Sequence, residues 1–220
     1  MAASPDPASP VPLVIIGGGG HAKVVIEIIR AIGGYHILGC TDAAATAAEV
    51  IGVPVLGDDD QLPRLFAAGV RHAFVAIGAN RLRLALGQRL LQQGFTLISV
   101  LHPAAVVSPT AVVGRGVAVM PGAVINACAV IGDFAIINTL AAVEHDCRLG
   151  EGVHVAPRAA LAGNVTLDTC VSVGIGAVVK PGVRIGAYTQ VGAGAAVVSD
   201  LAANCLAMGV PARPRAPRPA

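Results

Sequence analysis

One spacing dominates this sequence: from residue 107 to residue 197, every sixth residue is aliphatic. Val, Ile and Leu make up 28 of the 91 residues in this stretch, about a third, so a complete ladder would arise by chance on the order of once in 10⁸ sequences. A period of six matches neither the 3.6-residue turn of an α-helix nor the two-residue alternation of a strand. The ladder positions are Val107, Val113, Val119, Ile125, Ile131, Ile137, Val143, Leu149, Val155, Leu161, Leu167, Val173, Val179, Ile185, Val191 and Val197.

The six-residue period predicts a parallel β-helix, in which three short strands make one turn and each turn spans three ladder positions. The ladder residues would point inward and stack on the turn below, about 4.8 Å away. Two positions before each of them lies a small or β-branched residue, such as Ala123 or Ala129, which fits a tight corner. The stretch would form about five turns.

The chain before the ladder alternates between strand and helix patterns, which predicts a small parallel sheet with helices on its faces, a Rossmann-like βαβαβ arrangement. The predicted strands are 13–16, 36–40, 53–56, 73–77 and 95–101, and the predicted helices are 22–32, 62–68 and 81–93. We therefore expect a flexible N-terminus over 1–12, an α/β domain over 13–103, a β-helix over 104–212 and a disordered tail over 213–220.

Composition argues against several classes of function. The net charge is only +2 and the basic residues form no stripe with aromatic residues, so we expect no nucleic-acid partner. Gly, Pro and Asn interrupt the uncharged run 117–132, so we expect no membrane span. The five cysteines show no spacing pattern, which favours free thiols and a cytoplasmic protein.

A run of four glycines between the first strand and the first helix is typical of a phosphate-binding loop. Gly18, Gly19 and Gly20 would let the backbone approach an anion, and His21 would face the phosphate. Asp42 ends the second strand, where a ribose or base contact is expected. The domain is too short for the second half of a dinucleotide fold, so the motif favours a nucleotide linked to another group, or a tight turn without a ligand.

A histidine with two acidic neighbours, Glu144-His145-Asp146, interrupts the apolar ladder. An imidazole supported by a carboxylate is suited to general-base catalysis. Adjacent side chains of an extended segment point to opposite faces, so a local turn is needed before either carboxylate reaches the ring. A solvated corner is the alternative interpretation. Zinc would need three well-placed ligands, and the spacing of His102, His145 and His154 does not suit it, so we expect no metal.

Six motifs together resemble the nucleotide-sugar N-acetyltransferases that modify 4-amino-4,6-dideoxy sugars, a hexapeptide-repeat family that includes bacillosamine-pathway and perosamine enzymes. The resemblance covers about residues 12–213. The motifs are GGGHAKV at 18–24, AIGANR at 76–81, INT followed by VEHD within 137–146, His154, LAGNV at 161–165 and GVPA at 209–212.

The resemblance implies a left-handed β-helix, acetyl-CoA as co-substrate, and a homotrimer whose active sites lie between subunits. It implies that His145 is the base and that Asp146 supports it. The residues implied for the nucleotide-linked sugar are Gly18, Gly19, Gly20, His21, Asp42, Gly78, Asn80 and Arg81. Those implied for acetyl-CoA are Asn138, His154, Gly163, Ile175 and Ala193.

The reaction implied by the resemblance is direct N-acetylation of the 4-amino group of a nucleotide-linked sugar. Bacillosamine-type members carry an Asp pair at the positions that match 42–43 and a Glu at the position that matches 146. Here Ala43 follows Asp42, and Asp146 follows His145. These differences favour GDP-perosamine as the acceptor. Alternatives are a UDP- or dTDP-linked amino sugar, O-acetylation of a sialic-type sugar, or a non-catalytic nucleotide-sugar scaffold. Cys147 invites a covalent route, although a small corner residue is the simpler interpretation.

Overall fold

The N-terminal sheet has four parallel strands, in the spatial order Tyr35–Thr41, Val11–Ile16, His72–Val75 and Thr96–Leu97. A computed structural model describes residues 10–44 and 46–215 of the chain. The strands are β1 (Val11–Ile16), β2 (Tyr35–Thr41), β3 (Glu49–Val50), β4 (Val53–Pro54), β5 (His72–Val75) and β6 (Thr96–Leu97). The helices are α1 (Gly20–Ile32), α2 (Leu62–Ala67) and α3 (Asn80–Gln92), with a 3-10 turn at Asp59–Gln61. The predicted Rossmann-like sheet is confirmed.

Two predicted strands have a different place in the structure. The segment predicted as a strand over 53–56 forms the two-residue β4, which pairs antiparallel with β3, and Val55 adds one isolated parallel bridge to Cys40 of β2. The predicted strand 95–101 is divided: β6 closes the N-terminal sheet, whereas Val100–Leu101 is already the first strand of the β-helix. Both segments are apolar, and an apolar run does not reveal which sheet it joins.

The predicted parallel β-helix is confirmed. It forms a three-faced prism in which each strand pairs with the strand one turn further along, as in Ile136 beside His154. Because it runs from Val100 to Met208, it has about six turns. The first face holds Val100–Leu101, Ala118–Val119, Ile136–Ile137, His154–Val155, Ser172–Val173, Gln190–Val191 and Leu206–Met208. The second holds Val106–Val107, Val124–Ile125, Ala142–Val143, Ala160–Leu161, Val178–Val179 and Ala196–Val197. The third holds Val112–Val113, Val130–Ile131, Arg148–Leu149, Thr166–Leu167 and Arg184–Ile185.

The predicted boundaries shift at three places. β1 begins at Val11, inside the segment expected to be flexible, because its backbone pairs with β2. The β-helix begins at Val100 rather than at 104. Arg213–Arg215 pairs antiparallel with Leu206–Met208, so these three residues of the expected disordered tail are ordered by strand pairing. Residues 1–9 and 216–220 lie outside the described residues.

The corners of the prism repeat a left-handed backbone conformation. Every sixth residue from Gly116 to Gly194 has a φ near +60°, including the non-glycine residues Phe134 and Asp146. This conformation turns the chain sharply between two short strands. It also breaks the alternation of side-chain direction, so neighbouring corner side chains can lie together.

The N-terminal domain packs on the first face of the prism. Val100, Ala118 and Ile136 join the buried cluster that includes the apolar face of α1. The corner residue Phe134 packs against α3 at Gly87, where a Cβ would lie only 2.5 Å from the ring. Between residues 10 and 215, leaving out residue 45, no helix is long and apolar enough to cross a bilayer.

Candidate active site

A pocket of about 700 Å³ lies at the carboxyl ends of β1 and β5. The strand order reverses between these two strands, which is where ligands bind in open parallel sheets. Its lining includes Gly19, Gly20, His21, Asp42 and Gly78, which were predicted to bind the nucleotide-linked sugar, and also Gly17. Gly18 lines an adjoining recess with Gly19 and Gly20. We call the larger of these two cavities the glycine-loop pocket.

Asp42 braces the glycine loop. Its Oδ2 accepts a hydrogen bond from the Gly18 N–H at 2.8 Å, and its Oδ1 accepts one from the Ala44 N–H at 2.8 Å. Gly17 has a φ of +102° and a Cβ there would lie 2.9 Å from the Ala76 oxygen, so glycine is required. No side chain caps the start of α1, which leaves its first N–H groups available to an anion.

His21 follows the loop with an unpaired ring nitrogen. Its Nε2 is buried and has no hydrogen-bond partner among the described residues. Burial, followed by the nearby charge of Arg83, lowers the pKa of His21 to about 4. The imidazole is therefore neutral near pH 7, and a buried ring nitrogen without a partner is a feature found at functional sites.

Asn80 and Arg81, predicted for the nucleotide-sugar site, lie in a second cavity between α3 and the first face of the prism. This junction groove has a volume of about 390 Å³ and shares Gly78 with the glycine-loop pocket. The Asn80 Nδ2–H donates to the carbonyl oxygens of Cys170 and Val171 at 3.2 Å each. The Arg81 guanidinium lies 4.2 Å from the ring centroid of Tyr188.

His154 lines the junction groove and contacts a second residue predicted for acetyl-CoA. The Asn138 Nδ2–H donates to His154 Nε2 at 3.0 Å. Burial, followed by the charges of Arg83 and His21, lowers the pKa of His154 to about 4. His154 is therefore a neutral hydrogen-bonding group near pH 7.

We expect the protein to lose stability as the pH falls from about 6.5 to 4, because both buried histidines have a folded-state pKa near 4 and an unfolded-state pKa near 6.5. Over this interval the unfolded chain binds more protons than the folded chain, so the free energy of unfolding decreases. Melting temperatures measured between pH 7.5 and 4.5 test this. The variant carrying both His21→Asn and His154→Asn should show a flatter pH dependence, and a wild-type melting temperature that stays constant down to pH 5 would contradict the assignment.

His145 lies on the corner between the second and third faces, paired with Asp146. The His145 Nδ1–H donates to Asp146 Oδ2 at 2.8 Å, and the side chains are 57% and 51% exposed. Asp146 reaches the ring because it occupies a left-handed corner position, with a φ of +61°. Glu144 instead accepts a hydrogen bond from Asn126 Nδ2 at 2.7 Å. The pairing leaves His145 Nε2 free to take a proton.

Gly163, Ile175 and Ala193 each lie two residues after a ladder residue, and His145 occupies the equivalent position at its own corner. The imidazole of His145 covers Gly163, where a Cβ would lie 2.5 Å from its Cε1. Within the described chain, the N–H groups of Ile175 and Ala193 donate to no acceptor, and both residues are exposed. They are therefore available to the carbonyl groups of an extended ligand.

The structure separates the residues that could have supported zinc or a covalent intermediate. Among residues 10–44 and 46–215, no three His, Cys, Asp or Glu side chains lie close enough to hold a metal ion. Cys147 is buried, its Sγ–H donates to the Ala162 oxygen at 3.2 Å, and burial raises the pKa of the thiol. A buried, protonated thiol is a poor nucleophile.

Sequence reasoning missed Arg83, a buried residue between the two cavities. Its spacing could have revealed that it is buried. The buried stripe of α3 consists of Arg83, Leu86, Gly87 and Leu90, so an arginine occupies a position where an apolar residue is expected.

Comparison with known proteins agrees with this architecture. The PglD N-terminal domain family matches residues 12–90. GDP-perosamine N-acetyltransferase of Escherichia coli O157:H7 is 29% identical over 174 residues, covering 77% of this chain and 78% of that protein.

Two solved structures are similar over nearly the whole chain. One is perosamine N-acetyltransferase from Caulobacter crescentus, with one histidine replaced by asparagine, in complex with CoA and GDP-perosamine. It is 54% identical, with a TM-score of 0.91, covering 94% of this chain and 97% of that one. The other is the acetyltransferase domain of PglB from Neisseria gonorrhoeae FA1090 in complex with acetyl coenzyme A. It is 38% identical, with a TM-score of 0.89, covering 94% of this chain and 100% of that one.

Proposed function

The chain belongs to the perosamine N-acetyltransferase family, and from that premise we propose that it transfers the acetyl group of acetyl-CoA to the 4-amino group of GDP-perosamine. The observation that carries the proposal is the His145–Asp146 pair. In the neutral imidazole, the 2.8 Å hydrogen bond from Nδ1–H to the carboxylate fixes the tautomer, so that Nε2 is the nitrogen with the lone pair. An imidazole held in this way is suited to accepting a proton from an amine as the amine attacks.

The reaction then needs no covalent enzyme intermediate. The neutral amine attacks the thioester carbonyl, the new C–N bond forms, and the amine proton passes to His145 Nε2. The tetrahedral adduct collapses, the C–S bond breaks, and the proton on the imidazole goes to the departing sulfur. The free N–H groups of Ile175 and Ala193 would bind amide carbonyls of acetyl-CoA along the corner that they share.

The lining of the glycine-loop pocket supports guanine as the base. Asp58 and Asp60 line this pocket, and the Asp60 carboxylate has no partner among the described residues. The Watson–Crick edge of guanine offers two neighbouring donors, N1–H and the 2-amino group, which carboxylates accept. The uracil edge has one N–H between two carbonyl oxygens, and a carboxylate repels these two oxygens. The start of α1 and His21 would contact the diphosphate.

We further propose that the enzyme is a homotrimer whose active sites lie between subunits. His145 lines neither the glycine-loop pocket nor the junction groove of its own chain, so a neighbouring chain is needed to bring the parts together. A column of outward aliphatic residues on the second face is available for that contact: Val106, Val124, Ala142, Ala160, Val178 and Ala196. Val106 and Val178 are 62% and 48% exposed in the single chain.

Replacing Val178 by glutamate should convert the trimer to monomers. The substitution places a carboxylate within the apolar column, where burial against a neighbouring subunit is unfavourable. Multi-angle light scattering on the purified chain would show the mass falling from three times that of the chain to one. Lys180→Glu serves as the control, because Lys180 is exposed at the corner directly after the strand that contains Val178. A trimer that persists in Val178→Glu would exclude this face as the interface.

The proposed reaction is tested by an acceptor screen. Acetyl-CoA is incubated with GDP-perosamine, with UDP- and dTDP-linked 4-amino sugars, and with sialic acids, and thiol release is followed. We expect the highest kcat/KM with GDP-perosamine. A higher value with another acceptor would reassign the substrate, and no thiol release with any acceptor would leave the scaffold alternative. In parallel, GDP at 100 times its Kd should stabilise the protein by roughly 2.7 kcal/mol.

We place this reaction in the cytoplasm. All five cysteines are free thiols in the structure, which is consistent with a reducing compartment.

A further inference from the structure

Arg83 is the one charged side chain that is fully buried among the described residues, with 1% of its surface exposed. Its Nε–H donates to the Phe134 oxygen at 2.7 Å, and its Nη1–H groups donate to the oxygens of Ile77 and Gly78 at 2.9 Å each. Its Nη2–H groups donate at 2.9 Å to Asn80 Oδ1 and to the Gly152 oxygen. All five N–H groups of the guanidinium are therefore used.

The acceptors of Arg83 are carbonyl oxygens and one amide, and no carboxylate pairs with it among the described residues. Burying a cation without a counter-ion is unfavourable, and the five hydrogen bonds that the guanidinium donates offset this cost. Besides satisfying these acceptors, the arrangement has a second effect. What it provides is geometry, because a planar fork with five fixed donors sets the relative position of every group that it holds.

The start of α3 contacts four successive corners of the prism, each one turn beyond the last. Arg83 binds the first two, at Phe134 and Gly152. Asn80 binds the third, at Cys170. Arg81 lies over the fourth, at Tyr188. We call these three α3 residues the α3 clip.

Of the α3 clip, Asn80 and Arg81 line the junction groove, and Arg83 lies between this groove and the glycine-loop pocket. The carbonyl groups of Ile77 and Gly78 belong to the wall of the glycine-loop pocket. Gly152 lies two residues before His154, which lines the junction groove. Burial and, after it, the charge of Arg83 lower the pKa values of both His21 and His154. One side chain thus joins the nucleotide-binding wall to the coil that carries His154.

We propose that Arg83, together with Asn80, is a positioning residue that holds the glycine-loop pocket in register with the coil carrying His154. The rate of turnover depends on this register more strongly than the binding of either substrate does. The inference rests on the proposed acetyl transfer. A misplacement of about 1 Å can lower a rate about 100-fold without removing any contact to the reacting atoms.

The experiment compares Arg83→Lys with the wild-type full-length chain. Lysine keeps the positive charge but has three donors on a flexible stem, so it cannot hold Phe134, Gly78 and Gly152 together. We expect kcat to fall about 100-fold, while KM for GDP-perosamine and for acetyl-CoA each change less than about 3-fold. Gln88→Ala is the matched control, because Gln88 lies on the same helix and makes only an exposed hydrogen bond to Glu151. Its kcat should stay within about 2-fold of wild type.

A kcat for Arg83→Lys within about 3-fold of wild type would overturn the proposal, and so would a large rise in KM with kcat unchanged. If Arg83→Lys does not fold, the same measurement is made on Asn80→Ala. We expect its kcat to fall about 10-fold with KM unchanged. An unchanged kcat in this variant would overturn the proposal. Hydrogen exchange of residues 77–81 and 150–154 should be faster in a folded variant than in wild type. This readout does not need turnover, so it separates failure of the α3 clip from failure of the acetyl-transfer assignment.

Discussion

Replacing His145 by alanine should lower kcat by about 10²- to 10⁴-fold, the range for loss of a general base. The amine would then have to lose its proton to water as the tetrahedral adduct forms. The fold should remain intact, because the side chain is more than half exposed and its only described partner is Asp146. Steady-state kinetics measure the loss, and circular dichroism melting and light scattering verify the fold and the oligomeric state.

The control for this prediction is His36→Ala. His36 lies exposed on β2, away from the glycine-loop pocket, the junction groove and the corner of His145. Its kcat should match wild type. If His145→Ala retained more than a tenth of wild-type kcat, the direct-attack mechanism with His145 as base would have to be abandoned.

Replacing Gly163 by alanine should lower kcat by about 100-fold without unfolding the chain. The added Cβ would lie 2.5 Å from Cε1 and 2.6 Å from Nε2 of His145, so the imidazole must move. The backbone itself tolerates a Cβ here, because the equivalent corner positions in other coils carry Ala127 and Pro181. A displaced ring loses its alignment with the amine, and misplacements of about 1 Å have effects of this size.

A double-mutant cycle isolates the cause of the Gly163 effect. If the methyl group acts only by displacing the imidazole, Gly163→Ala should have almost no further effect on kcat in the His145→Ala background. Equal losses in both backgrounds would mean that the methyl group acts on acetyl-CoA binding or on the coil, and not on the ring. A crystal structure of the single variant would show the ring position directly.

The β-helix could be predicted because its signal is a period. Each ladder residue from Val107 to Val197 is fixed by the turn below it, so the pattern is independent of the rest of the chain. The strand pairing of residues 95–101 could not be predicted in the same way. Val100 is apolar whether it belongs to the N-terminal sheet or to the prism, and only the packing of the two parts decides.

The candidate site was predictable in its residue types and less so in its contacts. The choice between Glu144 and Asp146 depends on the left-handed corner at Asp146, which follows from the position of the corner and not from the residue itself. Asn80 and Arg81 belong to the same motif as Gly78, yet they face the prism, whereas Leu82 and Leu86 of the same helix line the glycine-loop pocket. Arg83 carried a weak signal, since one polar residue in a helical stripe has many explanations.

The constant register from one turn to the next has a consequence for how such a chain can change length. His145 and His154 lie within one turn of the prism, so they move together as a unit. Duplication of a whole coil beyond Leu201 would lengthen the prism without altering their distance from the nucleotide pocket. Insertion of a whole coil before Ile136 would carry both histidines about 4.8 Å along the prism axis. Insertion of six or twelve residues within the prism would rotate them to another side, because six residues make one of the three faces.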